Sequence, residues 1–138
     1  MELKATRWEV EGSIATLCFT RRHRRSAWTG RMHTEFRFLL EKAELDPNIR
    51  VVIITGDGPD FCVGADSQAL EGHAAKGGYD PGTDSSLPTP GYGVAKEFDQ
   101  NFAFMMALNV TTVAAVNGAA AVSYTHLRAH ETPEHLVC

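Results

Sequence analysis

Apolar positions along the chain change their period several times, and each change marks an element. Between Trp8 and Thr20, Ile14, Leu17 and Phe19 lie in a β-rich run behind the turn pair Glu11-Gly12. This predicts a hairpin whose second strand ends near Thr20. From Thr29 to about Asp46, Met32, Phe36, Leu39, Leu40 and Ala43 recur at helical spacing. Thr29 suits the N-cap and Asp46-Pro47 the stop, because a residue before proline is pushed out of the helical region. Val51-Val52-Ile53-Ile54 is too short for a helix and apolar on both faces, which predicts a strand covered on both sides and ended by Gly56-Asp57-Gly58-Pro59. A second short apolar piece, Phe61-Cys62-Val63, runs into Gly64-Ala65-Asp66, with a helix expected from Ser67 to about Ala75. Glycine and proline are dense from Lys76 to Gly93, the composition of a long functional loop or lid. Helical spacing returns from Val94 to Leu108, and Val110 to Val116 is a further β-rich run ending at Asn117-Gly118. This order predicts an α/β fold, in which ligands sit where strands hand over to helices. Two such junctions exist, Phe61 to Ser67 and Val116 onward.

The totals narrow the class without naming a partner. A chain of 138 residues fits one domain and can bury a real core. Its 43% hydrophobic and 22% charged residues, with a net charge of -4, are those of an ordinary globular protein and exclude a disordered or collagenous one. No apolar run reaches the roughly 18 residues of a membrane span, and charges occupy the place of a secretory apolar segment. Cytoplasm is the expected location. Cys18, Cys62 and Cys138 share no repeated spacing and read as thiols in a reducing compartment.

Three groups of residues could carry chemistry. In Cys62-Val63-Gly64-Ala65-Asp66, Gly64 can take a positive φ, Ala65 offers almost no side chain to block a ligand, and Asp66 can cap the following helix. The Ala65 amide would then point outward near a helix N-terminus, as a donor to an anionic oxygen. The same spacing also suits a plain tight turn between strand and helix. The basic run Arg21 to Arg25 suits a solvated surface, a nucleic-acid contact or a phosphate-bearing ligand. Finally, His126, His130, His135 and Cys138 form an array with which zinc binding is chemically possible. Pro133 interrupts a single-helix version, and nothing before residue 122 supplies strong ligand pairs.

The stretches Arg21 to Trp28, Asp46 to Gly56, Asp60-Phe61-Cys62-Val63-Gly64-Ala65-Asp66 and Thr112-Val113-Ala114-Ala115-Val116-Asn117-Gly118 together resemble the enoyl-CoA hydratase/isomerase (crotonase) family. The likeness runs in order from about residue 8 to 121. It implies a crotonase-like ββα spiral core, here truncated, and acyl-CoA thioester chemistry of the enoyl-CoA hydratase/isomerase type. In that family two backbone amides hold the thioester oxygen and stabilise an enolate intermediate. Losing one such donor typically costs roughly 3 to 4 kcal/mol. The resemblance implies Ala65 as the first of these amides. Ser26, Ala27 and the backbone of Cys62, Gly64, Ala65, Asp66 and Ser67 would line the adenine and pantetheine path, with Arg24 or Arg25 near the phosphates. Coenzyme A enters as part of the substrate; no covalently bound cofactor, metal, nucleic acid or membrane is expected. Complete members form trimers or hexamers.

The likeness stops after Ala121. The family continues with a glycine run that supplies the second amide and then a catalytic glutamate, whereas Val122, Ser123, Tyr124 and His126 stand at those positions. A β-branched valine and a tyrosine crowd a turn that needs bare backbone. Residues 122–138 resemble translated sequencing-adapter read-through and are expected to be a non-native tail outside a 1–121 domain. The expectation is an inactive fragment of an acyl-CoA enzyme. Asp80, Asp84, Glu97, Asp99 and His73 fall near the expected pocket in sequence, but none carries a catalytic assignment. The rival readings are a phosphate- or CoA-binding module without catalysis and a zinc protein built on the C-terminal array.

Overall fold

The computed structural model describes residues 1–78 and 103–121. Strands β1 (Thr6–Glu11) and β2 (Ile14–Phe19) form the expected antiparallel hairpin, turning at Gly12 with φ +60°. Helix α1 (Gly30–Leu45) follows, then β3 (Val51–Gly56), β4 (Asp60–Cys62), α2 (Ser67–Lys76), a 3-10 turn at Ala103–Ala107, β5 (Thr111–Ala114) and β6 (Ala119–Ala120). Four strands make one sheet in the order β1-β2-β3-β5, and β4 pairs with β6 in a second, two-stranded sheet. The β2–β3 and β3–β5 pairs are parallel, so each needs a crossover. Helix α1 supplies the first.

Thr29 caps α1 by accepting a hydrogen bond from the Met32 amide at 3.1 Å, and Asp46 ends it in extended backbone. Met32, Phe36, Leu39, Leu40 and Ala43 share one helix face and are buried against Leu17, Phe19, Val52 and Ile54 of the sheet. Phe19, Phe36, Phe61 and Phe104 meet in tilted or edge-to-face contacts with ring centroids 5.6 to 6.2 Å apart. The core thus lies between α1 and one face of the large sheet.

Two carboxylates bind α1 to its surroundings. Glu35 is fully buried and accepts from the amides of Lys4 (2.8 Å) and Ala5 (3.0 Å), the Thr6 hydroxyl (2.6 Å) and Arg31 Nε (2.6 Å). Glu44, near the other end, accepts from the Asn109 and Val110 amides and from Asn109 Nδ2. Its desolvation would raise its pKa, but these bonds outweigh that and hold it below the usual carboxylate value.

Several sequence expectations are refined. Helix α2 closes one residue beyond Ala75, with Gly77 in the left-handed conformation. Only one face of β3 is fully covered by described residues: Val52 and Ile54 are buried, whereas Val51 and Ile53 are half-buried. Among the described residues the other face of the strand is only partly covered. Strand β5 stops at Ala114, and Ala115 adds one further bond, donating to Ile54 O at 2.8 Å. Beyond it the exposed Asn117 latches onto the β3–β4 turn, accepting from the Gly56 amide (3.0 Å) and donating to Gly58 O (2.7 Å). Of the helical spacing at 94–108, only the turn from Ala103 is described. Most of the loop at 76–93 and all of the tail at 122–138 lie outside the described residues.

Gly118 is where the second sheet becomes possible. A Cβ at this position would overlap the Pro59 carbonyl, so only glycine lets β6 approach β4. Gly118→Ala is expected to lower stability by about 1 to 3 kcal/mol, the usual cost of forcing extra atoms into a closed contact. The same change should speed hydrogen exchange of the Ala121 amide, which donates to Cys62 O at 2.8 Å. Urea titration and amide exchange by NMR measure the two effects.

Candidate functional site: the Gly64–Asp66 turn and its arginine clamp

The turn after β4 is built on glycine at one end and a cap at the other. Gly64 sits at φ +105°, a conformation that L side chains rarely adopt. Asp66 caps α2, its Oδ1 accepting from the amides of Gln68 (2.9 Å) and Ala69 (3.2 Å). Between them Ala65 is exposed, while Gly64 and Asp66 are buried.

Trp28 pairs with this turn as a short parallel bridge. The Trp28 amide donates to Gly64 O at 2.7 Å, and the Asp66 amide donates to Trp28 O at 2.8 Å. Both flanks of Ala65 are thereby tied to Trp28, but the Ala65 amide is not used. In a trans peptide the C=O and N–H of one plane point in opposite directions. Holding Gly64 O toward Trp28 therefore aims the Ala65 N–H away from it. No described residue accepts from that N–H. The donor is oriented without being consumed by ladder pairing.

Trp28 is in turn held by the core. Its ring meets Phe19 and Phe36 edge-on, with centroids 5.5 Å away in each case. Upstream, the loop Arg22–Arg24 is a 3-10 turn followed by two consecutive left-handed residues, Arg25 and Ser26, both at φ 54°. Such conformations cost on the order of 1 to 3 kcal/mol each for non-glycine residues. Bonds from the Arg25 amide to Arg22 O, from Ser26 to Arg21 O and from Ala27 to Arg24 O, each at 3.0 Å, help offset that cost. Ser26 and Ala27 are both buried, and the Ser26 hydroxyl has no partner among the described residues.

The arginines face carboxylates. Asp66, with only 2% of its side chain exposed, receives Arg21 Nη1 and Nη2 (3.1 Å each) and Arg24 Nε (3.2 Å) on Oδ2, and Arg24 Nη2 (3.3 Å) on Oδ1. Burial would raise its pKa, but bonds from Arg24, the Ala69 amide and Arg21, together with the Arg21 charge, lower it to about 2. Arg25 makes a two-pronged pair with Asp60 of β4 at 2.9 and 3.0 Å, a bond that lowers the Asp60 pKa. Burial raises the pKa of the Cys62 thiol, and the Gly64 amide partly opposes that shift. Cys62 therefore stays a neutral packing residue beneath the turn.

The structure brings Arg24, Ala27, Gly64, Ala65, Asp66 and the helix start at Ser67 into one constellation, with Cys62 on β4 beneath it and Arg25 in the basic loop, paired to Asp60 of that strand. The second junction arrives beside it: the Ala121 amide bonds to Cys62 O, and Ala121 Cβ lies 3.7 Å from where a Gly64 Cβ would stand. Sequence reasoning missed Arg21 as a partner of Asp66 and Asn117 as the latch on the β3–β4 turn. Nothing in a run of like charges distinguishes Arg21 from its neighbours. A groove of about 430 Å³ runs past the loop and along α2. Lys4, Arg21, His23, Arg31, His73 and Lys76 line it, and none of the described lining residues is acidic. Asp80, Asp84, Glu97 and Asp99 lie outside the described residues. Among the described residues no three His, Cys, Asp or Glu side chains gather as a metal site, and no helix is long and apolar enough to cross a membrane. The C-terminal histidine array is outside them.

Residues 9–127 match the family described as Enoyl-CoA hydratase/isomerase, and the chain belongs to it. It is 34% identical over 111 residues to a probable enoyl-CoA hydratase, EchA14, of Mycobacterium tuberculosis, covering 80% of this chain and 38% of that protein. It is 29% identical over 114 residues to the 1,2-epoxyphenylacetyl-CoA isomerase of Escherichia coli, covering 81% and 39%. Among solved structures, the Pseudomonas aeruginosa protein PA4980 superposes with a TM-score of 0.67 at 31% identity over 92% of this chain and 50% of that one. The chain thus spans about two-fifths of the length of these curated relatives. The mixed α/β core is that of the crotonase fold.

The clamp has a defined pH signature. A folded-state pKa of about 2 lies below the ordinary 3.8, so Asp66 contributes stability that is complete above pH 3.8 and is lost as pH falls through about 2. Asp66→Asn is expected to reduce stability near neutrality by about 2 to 4 kcal/mol, because it leaves Arg21 and Arg24 without their carboxylate. The gap between wild type and variant should narrow as pH drops from 4 toward 2, as followed by urea titration across that range.

Proposed function

We propose that this chain is the part of an acyl-CoA enzyme that binds the substrate and presents one oxyanion donor, the Ala65 N–H. The observation that carries the reading is the peptide plane between Gly64 and Ala65: one end is bonded to Trp28, and the other offers an oriented amide on an exposed residue. A proton beside a thioester is only weakly acidic, so its removal needs a donor already in place where charge develops on oxygen. A donor fixed by a bridge to a packed tryptophan needs no reorganisation to meet that charge.

The substrate is a thioester of coenzyme A, and the reaction is of the hydratase or isomerase type. The names of the M. tuberculosis and E. coli relatives support this class. Arg24, Arg25, Ser26 and Ala27 border the nucleotide and pantetheine path together with Cys62, Gly64, Asp66 and Ser67. The groove beside this loop, cationic and without a carboxylate among its described lining residues, supports binding of the phosphates, since phosphate oxygens favour clustered cations over any other surface of an acidic chain. Coenzyme A is carried as part of the substrate, with no group bound covalently to the protein. Residues 1–121 form the N-terminal part of the domain, and 122–138 are a non-native tail. The second amide and the general base belong to a glycine turn and a glutamate that this chain does not carry after Ala121. In the complete enzyme, subunits associate as trimers or hexamers in the cytoplasm.

Binding and turnover separate in this chain. Calorimetry is expected to detect coenzyme A binding that weakens as salt rises, and Arg24→Glu should abolish it. Hydration of an enoyl-CoA, followed by the loss of its conjugated absorbance, should remain at the uncatalysed rate. Turnover at the rate of an intact hydratase would refute the fragment reading, and the absence of any coenzyme A binding would refute the substrate class.

A further inference from the structure

We infer that Arg21 is the positioning residue for the Ala65 amide, an inference that rests on the reading of Ala65 as an oxyanion donor. Arg21 Nη1 donates to Ala27 O at 2.6 Å, and Nη1 and Nη2 both reach Asp66 Oδ2 at 3.1 Å. Ala27 immediately precedes Trp28, which orients the Gly64–Ala65 peptide plane; Asp66 immediately follows Ala65. One guanidinium therefore holds both sides of the bridge that aims the donor.

Its neighbours do not share this arrangement. Among the described contacts, the Arg24 side chain reaches only Asp66 and the Arg25 side chain only Asp60. Arg21 is also the better buried partner of Asp66, with 18% of its side chain exposed against 35% for Arg24. Nη1 alone reaches both Ala27 O and Asp66 Oδ2, and Nη2 doubles the hold on Asp66. A guanidinium presents several donors in fixed directions, whereas a lysine ammonium is a point charge on a flexible stem. Lysine would preserve the charge beside Asp66, but its Nζ ends one bond short of the Nη1 position that reaches Ala27 O.

The alternative is that Arg21 stabilises the loop and leaves the amide where it is. The full 138-residue chain can distinguish the two, as wild type, Arg21→Gln and Arg21→Lys. The first readout is the direction of the Ala65 N–H bond, measured without ligand by residual dipolar coupling and ¹⁵N shift. The second is the ratio of affinities for an acyl-CoA thioester and for the thioether analogue that lacks its carbonyl oxygen. Wild type is expected to prefer the thioester by about tenfold, the worth of one well-made hydrogen bond. Both variants should show a reoriented Ala65 N–H and a ratio near one, with the remaining amide signals in place. The ratio cancels any general loss of phosphate attraction.

An unchanged Ala65 coupling in either folded variant overturns the inference, as does a lysine variant that retains both the direction and the preference. If Arg21→Gln does not fold, Arg21→Lys alone decides. If wild type shows no thioester preference, the oxyanion reading fails on its own. The dipolar coupling then still judges Arg21: a reoriented bond upholds the positioning role, and an unmoved one removes it.

Discussion

A rigid peptide plane is useful as a donor only if something holds its other end. Here the Trp28 amide grips Gly64 O, so the planarity of the Gly64–Ala65 bond converts one ordinary hydrogen bond into a fixed direction for the Ala65 N–H. Trp28 can act in this way because its ring is lodged against Phe19 and Phe36, on β2 and α1. The rigidity of the core thus reaches the surface turn through Trp28. Gly64 makes the turn possible, and Asp66 ends it by becoming the cap of α2.

Charge in this region serves geometry first. Four arginines within five residues repel one another, and the loop that carries them contains two left-handed residues in succession. Both features cost free energy. Two buried carboxylates offset them: Asp66 takes Arg21 and Arg24, and Asp60 takes Arg25. The pairs also join the loop to β4 and to the start of α2. An arginine held this way still has further donors to direct at an anionic ligand.

Alpha-helix α1 and the hairpin were legible because their signals are local. Apolar spacing, a threonine cap and an Asp-Pro stop act within a few residues of one another, and the structure follows them closely at Thr29 and Asp46. The Gly64-Ala65-Asp66 turn was legible for the same reason: positive φ, a small residue and a cap are properties of adjacent positions. Burial was harder to read. The run Val51 to Ile54 suggested a strand enclosed on both faces, yet only Val52 and Ile54 are fully buried, because enclosure depends on what other parts of the chain lay over each face. Asn117 and Glu35 were silent in the sequence, since a lone polar residue does not announce which distant amide it will meet.

The sequence by itself determined the element order from β1 to α2, the caps, the turn able to present an amide and the family likeness, since each is carried by neighbouring residues or by a short motif. Only the tertiary structure decided that Trp28 grips Gly64, that Arg21 spans Ala27 and Asp66, and that Ala121 arrives against the same turn. Those partners are far apart along the chain. Their meeting depends on parallel crossovers and on a glycine that lets two backbones nearly touch, and neither the distance nor the direction of such a meeting is encoded at any single position.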